Sequence, residues 1–142
     1  MNLYAESSAV LAWLLGEDGG NDVRERLSAA RLVLTSDLTL IECDRVLHRA
    51  VALGELNESE AAGRRTTAAT TAEHWAVFAI DAEIVERARR AFPREPIRTL
   101  DAVHLSTALV ARALVTDLQL LSLDERIRAN AAELGFDLLP AA

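Results

Sequence analysis

The sequence predicts an α/β/α sandwich, with a short, mostly parallel central sheet flanked by helices. Apolar residues make up 51% of the 142-residue chain, enough to bury a core in one domain spanning residues 1–142. Apolar runs of strand length recur along it, at Leu3-Tyr4-Ala5, Leu32-Val33-Leu34, Trp75-Ala76-Val77-Phe78, Leu118 to Leu123 and Phe136-Asp137-Leu138-Leu139. Between them lie capped segments with helical periodicity. Such alternation implies strands joined by crossover helices that cover both faces of the sheet.

Each element follows from its local residues. After the first strand, Ser7 or Ser8 caps a helix through Val10, Leu11 and Leu14 that stops at Gly16. Val23 and Leu27 sit on a second helix from about Asn21 to Ala30. Asp37 caps a long helix ending near Gly54, and Asn57 with Glu60 forms a capping-box signature for the next. Asp81 caps a helix to about Phe92, where Pro93 and Pro96 enforce a loop. Thr99 caps a helix to Ala113, and Asp124 opens another that runs to Leu134 before Gly135.

Composition narrows the function classes. The longest apolar stretches meet a charge within about ten residues, short of the roughly 20 a bilayer span needs, so no membrane association is expected. The first residues lack the basic start and apolar run of a secretory signal, and the single cysteine, Cys43, has no internal partner. These features predict a cytoplasmic protein. A net charge of −7 argues against a simple non-specific nucleic-acid binder, but not against a nuclease whose acidic pocket takes divalent ions. All 15 basic residues are arginine.

Four carboxylates stand where a solvated surface explains them poorly. Glu6 ends the first strand, and Asp124 ends Leu120-Leu121-Ser122-Leu123. Ligand sites in parallel sheets lie beyond the carboxyl ends of the strands, so Glu6 and Asp124 are expected along one edge. Glu42 shares a helical stripe with Leu38 and Val46, and Asp101 with Leu105 and Ala108. Buried carboxylates are costly unless paired or metal-bound, and clustered ones raise each other's pKa. Oxygen ligands without a His/Cys cluster select Mg²⁺ or Mn²⁺. Blander roles exist for each: a helix cap for Asp124, pairing with Arg45 or Arg49 for Glu42, and a partly exposed strand-end charge for Glu6.

Four segments carry a resemblance. Tyr4-Ala5-Glu6-Ser7-Ser8-Ala9, Thr35-Ser36-Asp37-Leu38-Thr39-Leu40-Ile41-Glu42, Arg98-Thr99-Leu100-Asp101-Ala102-Val103-His104-Leu105 and Leu121-Ser122-Leu123-Asp124-Glu125-Arg126 resemble, in order and spacing, the acidic motifs of PIN-domain proteins. The chain is most similar to VapC-type toxins, the ribonuclease half of type II toxin–antitoxin pairs. That resemblance implies a PIN-like fold and an Mg²⁺- or Mn²⁺-dependent endoribonuclease. It also implies a cognate VapB-like antitoxin, an RNA substrate and a homodimer. Glu6, Glu42 and Asp101 would hold the metal, with Asp124 completing the ring directly or through water. Ser8 and Ser122 would support a carboxylate or metal-bound water. The family's first motif normally supplies aspartate, so Glu6 is a departure that lengthens one ligand by a methylene.

The remaining candidates are weaker. His104 is either a supporting neighbour of Asp101 or a satisfied core histidine; His48, His74, Cys43, Trp13 and Trp75 read as structural. Arg87, Arg89, Arg90, Arg94 and Arg98 surround the proline loop, either as a solvated face or, for Arg94 and Arg98, as contacts for RNA phosphates or acidic antitoxin groups. The Glu42 helix and the helix from Glu58 to Ala72 form the expected clip for an antitoxin segment. Two other readings remain: a catalytically weakened PIN-like module that binds RNA or protein, favoured by Glu6, and a phosphoacceptor signalling domain. The latter is disfavoured by the lack of lysine and of an acidic pair around the first strand.

Overall fold

The protein is described by a computed structural model covering residues 1–141. Five strands alternate with seven helices among these residues: β1 (Asn2–Ala5), α1 (Ser7–Leu15), α2 (Gly20–Ala29), β2 (Leu32–Ser36), α3 (Asp37–Ala52), α4 (Glu58–Ala72), β3 (Ala76–Phe78), α5 (Ala82–Ala88), α6 (Thr99–Leu114), β4 (Leu118–Leu121), α7 (Glu125–Glu133) and β5 (Asp137–Leu139). The sheet order is β3-β2-β1-β4-β5, and every pairing is parallel, the last strand included. No helix among the described residues is long and apolar enough to cross a membrane.

Strand alternation divides the core between the two faces. Tyr4, Leu34, Leu118 and Leu120 point to one side, where Ala102, Leu105 and Ala108 of α6 and Ile127 of α7 pack on them. Leu3, Ala5, Val33 and Leu121 point to the other, against Ala9, Val10 and Leu14 of α1, Val23 of α2 and Cys43 of α3. Each fully buried leucine contributes about 1.5–3 kcal/mol. With both faces covered in this way, the fold tolerates costly polar burial at one edge of the sheet.

Three helix starts differ from expectation by a single residue. Glu6, not Ser7 or Ser8, is the N-cap of α1, accepting the Ser8 N–H. Ser36, not Asp37, caps α3 through Leu38 N–H, and Arg98 rather than Thr99 precedes α6, with no side-chain cap. In all three, the last extended residue of the incoming segment takes the cap position. Asn57–Glu60 forms the full capping box, and Asp124 caps α7. Helix α5 stops at Ala88 rather than near Phe92, because Glu95 organises the following loop by accepting the N–H groups of Phe92 (2.9 Å) and Ile97 (3.0 Å). Gly16 ends α1 at φ 66°, and Gly20 lets α2 turn back so closely that a Cβ there would lie 2.3 Å from the Ala12 carbonyl oxygen.

Candidate active site

The site is set by where the two central strands end. β1 and β4 pair along their length, and the Glu6 N–H extends that pairing by donating to the Leu121 carbonyl at 3.0 Å. The chain turns into a helix one residue past β1 and three residues past β4, so Glu6 and the Ser122–Asp124 segment meet at the carboxyl edge. Helices α3 and α6 bring Glu42 and Asp101 to the same place. All four carboxylates, with Ser7, Ser8, Arg98 and His104, line one cavity of ≈ 500 Å³.

Glu6 is 2% exposed yet well supplied with donors. Its Oε2 accepts from Ser8 N–H (2.5 Å) and the Ser7 hydroxyl (3.3 Å), and its Oε1 accepts from the Ser122 hydroxyl (3.1 Å). Burial nevertheless pushes its pKa above the ordinary carboxylate value, and the charge of Asp124 adds to that. His104 and the donors from Ser8 oppose the rise without cancelling it. Ser8 ties the edge together: its Oγ lies 3.3 Å from Ser122 Oγ and accepts the Leu123 N–H at 2.9 Å.

Asp124 divides its two oxygens between structure and cavity. Oδ1 caps α7 by accepting from Arg126 N–H (2.9 Å) and Ile127 N–H (3.1 Å). Oδ2 faces the cavity, 3.9 Å from an Arg98 nitrogen. Asp101, in the first turn of α6, is 6% exposed. Its Oδ2 is buried without a hydrogen bond; Arg98 Nε stands 3.5 Å away, within ion-pair reach only. The Arg98 side chain is itself 65% exposed, so these pairs are weak. Glu42 pairs with neither Arg45 nor Arg49; His104 Nε2 lies 2.5 Å from its Oε1.

Each expected site residue therefore has a definite position. Glu6, Glu42, Asp101, Asp124, Ser8 and Arg98 share the cavity, and Ser122 reaches it through Glu6. Arg94 does not: its guanidinium pairs with Glu133 at 2.7 Å, in a separate groove with Glu95 and Pro96. Ser7 was not among the expected site residues, and it lines the cavity together with His104. The three-residue spacing from Asp101 put His104 on the same face of α6 and was the available signal. Among the described residues, no three acidic, histidine or cysteine side chains are close enough to form a ready-made metal cage. The carboxylates share the walls of one cavity.

Comparison with known proteins agrees with this fold. The profile of the PIN domain family matches residues 3–134. Ribonuclease VapC46 of Mycobacterium tuberculosis is 31% identical over 134 residues, covering 94% of this chain and 92% of that protein. Among solved structures, the fold is similar to M. tuberculosis VapC20, a toxin that cleaves the sarcin–ricin loop, with TM-score 0.64 and 17% identity over 94% of this chain and 95% of that one. A toxin–antitoxin complex from Klebsiella pneumoniae aligns with TM-score 0.64 and 17% identity over 99% and 98% of the respective chains.

Proposed function

Because the chain belongs to the PIN-domain family, we propose that it is a cytoplasmic, Mg²⁺- or Mn²⁺-dependent endoribonuclease toxin, acting as a single PIN-like domain and paired with a VapB-like antitoxin. The observation that carries this reading is the convergence of Glu6, Glu42, Asp101 and Asp124 on one cavity at the carboxyl edge. The donor set suits a hard cation: carboxylate oxygens predominate, and Asp101 Oδ2 is buried with no hydrogen bond. Glu6, Glu42 and Asp101 would hold the ion, and Asp124 would complete the set directly or through water. When bound, the cation supplies the Lewis acidity that activates water toward a phosphodiester.

The chain's own residues supply the rest. Ser122 and Ser8 keep the Glu6 carboxylate turned inward. Arg98, at the exposed rim, is placed to meet an RNA phosphate. Water would attack phosphorus, its bond to the 3′-oxygen would break and that oxygen would leave with a proton, giving 5′-phosphate and 3′-hydroxyl ends; with no 2′-hydroxyl attack, no cyclic phosphate forms. The antitoxin would dock on a groove between α1, α3 and α4, where Leu15, Val46, Ala50, Leu53 and Leu56 are accompanied by Arg49, Arg64, Glu17 and Glu55. Such a groove suits the apolar face of an amphipathic helix. The reading also includes a homodimer, which sedimentation of the purified protein checks.

The test is incubation of a structured RNA pool with Mg²⁺, Mn²⁺ or EDTA, followed by analysis of the product ends. Metal-dependent cutting with 5′-phosphate ends supports the nuclease. A folded, metal-supplied protein that binds RNA or the antitoxin but cuts nothing supports the weakened binding module, which the longer Glu6 side chain favours.

A further inference from the structure

One buried imidazole lines the cavity beside the carboxylates. His104 is 3% exposed, and its Nε2 lies 2.5 Å from Glu42 Oε1 on α3 and 3.3 Å from Ser7 Oγ on α1. The Ser7 hydroxyl in turn donates to Glu6 Oε2. One ring nitrogen thus stands between the two glutamates of the site. A carboxylate only accepts, so Nε2 carries the proton that points to Glu42. The other nitrogen, Nδ1, is buried without a partner.

Glu42 is the carboxylate that needs such a partner. Glu6 is fixed by Ser8 and Ser122, and Asp124 by the α7 cap. Asp101 has a short side chain, nearly buried in the first turn of its helix. Glu42 is longer, a quarter exposed, and has no hydrogen-bond partner but His104 among the described residues. Unheld, its flexible side chain gains entropy by turning to solvent, and that freedom must be lost again when it binds an ion.

Resting on the reading of the cavity as a divalent-metal site, we propose that His104 is a positioning residue, whose Nε2–H holds the Glu42 carboxylate inward so that it is presented to the cation. His104 makes no contact with the ion or the RNA and acts through Glu42 alone. The chemistry asks for one donor at the position of Nε2, which glutamine supplies and leucine does not.

Direct Mn²⁺ titration of the purified protein, without RNA, tests this on wild type, His104→Leu, His104→Gln, Glu42→Gln and the Glu42→Gln/His104→Leu double variant. His104→Leu is expected to weaken Mn²⁺ binding by about 10–100-fold, and His104→Gln to stay within about threefold of wild type. In the Glu42→Gln background, adding His104→Leu is expected to change little, because the residue it acts through is already gone. With saturating metal, the KM for RNA stays at its wild-type value. Should His104→Leu fail to fold, His104→Asn replaces it, keeping a polar side chain too short to reach Glu42. Wild-type Mn²⁺ affinity in His104→Leu, or an equal loss in both backgrounds, overturns the role of His104 while leaving the metal site standing. A folded wild type that takes up no Mn²⁺ overturns the metal site itself and this role with it.

Discussion

At the amino ends of the strands, Arg31, Asp117 and Asp137 stand exposed around a polar pocket, whereas at the carboxyl ends Glu6 and Asp101 are buried to 2% and 6% exposure. The same strands build both ends, so the sheet alone does not explain the difference. At the amino end, charge remains in water and is nearly neutral for stability. At the carboxyl end, charge is taken out of water and left short of counter-ions: Asp101 Oδ2 has no hydrogen bond, and the Glu6 pKa is raised by burial. Stability alone would remove such groups. They lie at the edge where α/β proteins bind ligands, and the proposed metal site gives their burial a reason.

The contrast can be broken by matched substitutions. The largest effect is expected from Asp101→Asn, which keeps shape and removes charge from the cavity. Losing the share of transition-state stabilisation that rests on one ligand, worth several kcal/mol, predicts a fall in RNA cleavage of about 10²–10³-fold. Asp137→Asn, at the opposite end, should leave the cleavage rate within about twofold and stability within about 0.5 kcal/mol. Equal losses in both proteins would erase the distinction between the two ends.

Glu6→Gln should sharpen it through stability. With its pKa raised in the folded state, Glu6 keeps its proton in the fold after the unfolded chain has lost it. Stability is therefore lost as pH rises from the ordinary carboxylate value toward the folded one, and the deficit persists at neutral pH. Glu6→Gln removes that deficit. It is expected to melt above wild type at neutral pH in EDTA, to match it below about pH 4 where both carboxyls are neutral, and to lose cleavage activity. Denaturant titrations across that pH range read the outcome directly.

Asp124 lets cap and charge be separated within one residue. Asp124→Asn keeps an oxygen to cap α7, so stability should hold while cleavage falls. Asp124→Ala loses both, with a stability cost of about 1 kcal/mol. An effect on stability alone is expected at Asn57, in the exposed capping box of α4. Asn57→Ala should cost about 1 kcal/mol and leave cleavage unchanged.

Much of this layout was legible in the sequence, for physical reasons that also explain what was not. Strands such as Leu32–Ser36 and helices such as α3 announced themselves through apolar runs and period. Carboxylates ending apolar strands pointed to the site edge. Caps were misplaced by one residue because serine, threonine and aspartate are all strong caps by type, while the last extended residue took the position, at Glu6, Ser36 and Arg98. The strand order was not written locally, since it depends on which crossovers pack. Nor was the Glu42–His104 pair, whose members lie 62 residues apart on different helices. Glu95's hold on the proline loop was hidden for the opposite reason: the prolines dominated the local pattern.

The account stands on the claim that the buried carboxylates of this edge are offset by a divalent cation. The most direct measurement is the melting temperature of wild type and Glu6→Gln, at neutral pH, in EDTA and in rising Mn²⁺. A ligand that binds only the folded state raises its stability with concentration. The account predicts that Mn²⁺ raises the melting temperature of wild type steadily and that of Glu6→Gln far less, so that the wild type overtakes the variant. Identical responses of the two proteins, or none in the wild type, would contradict it.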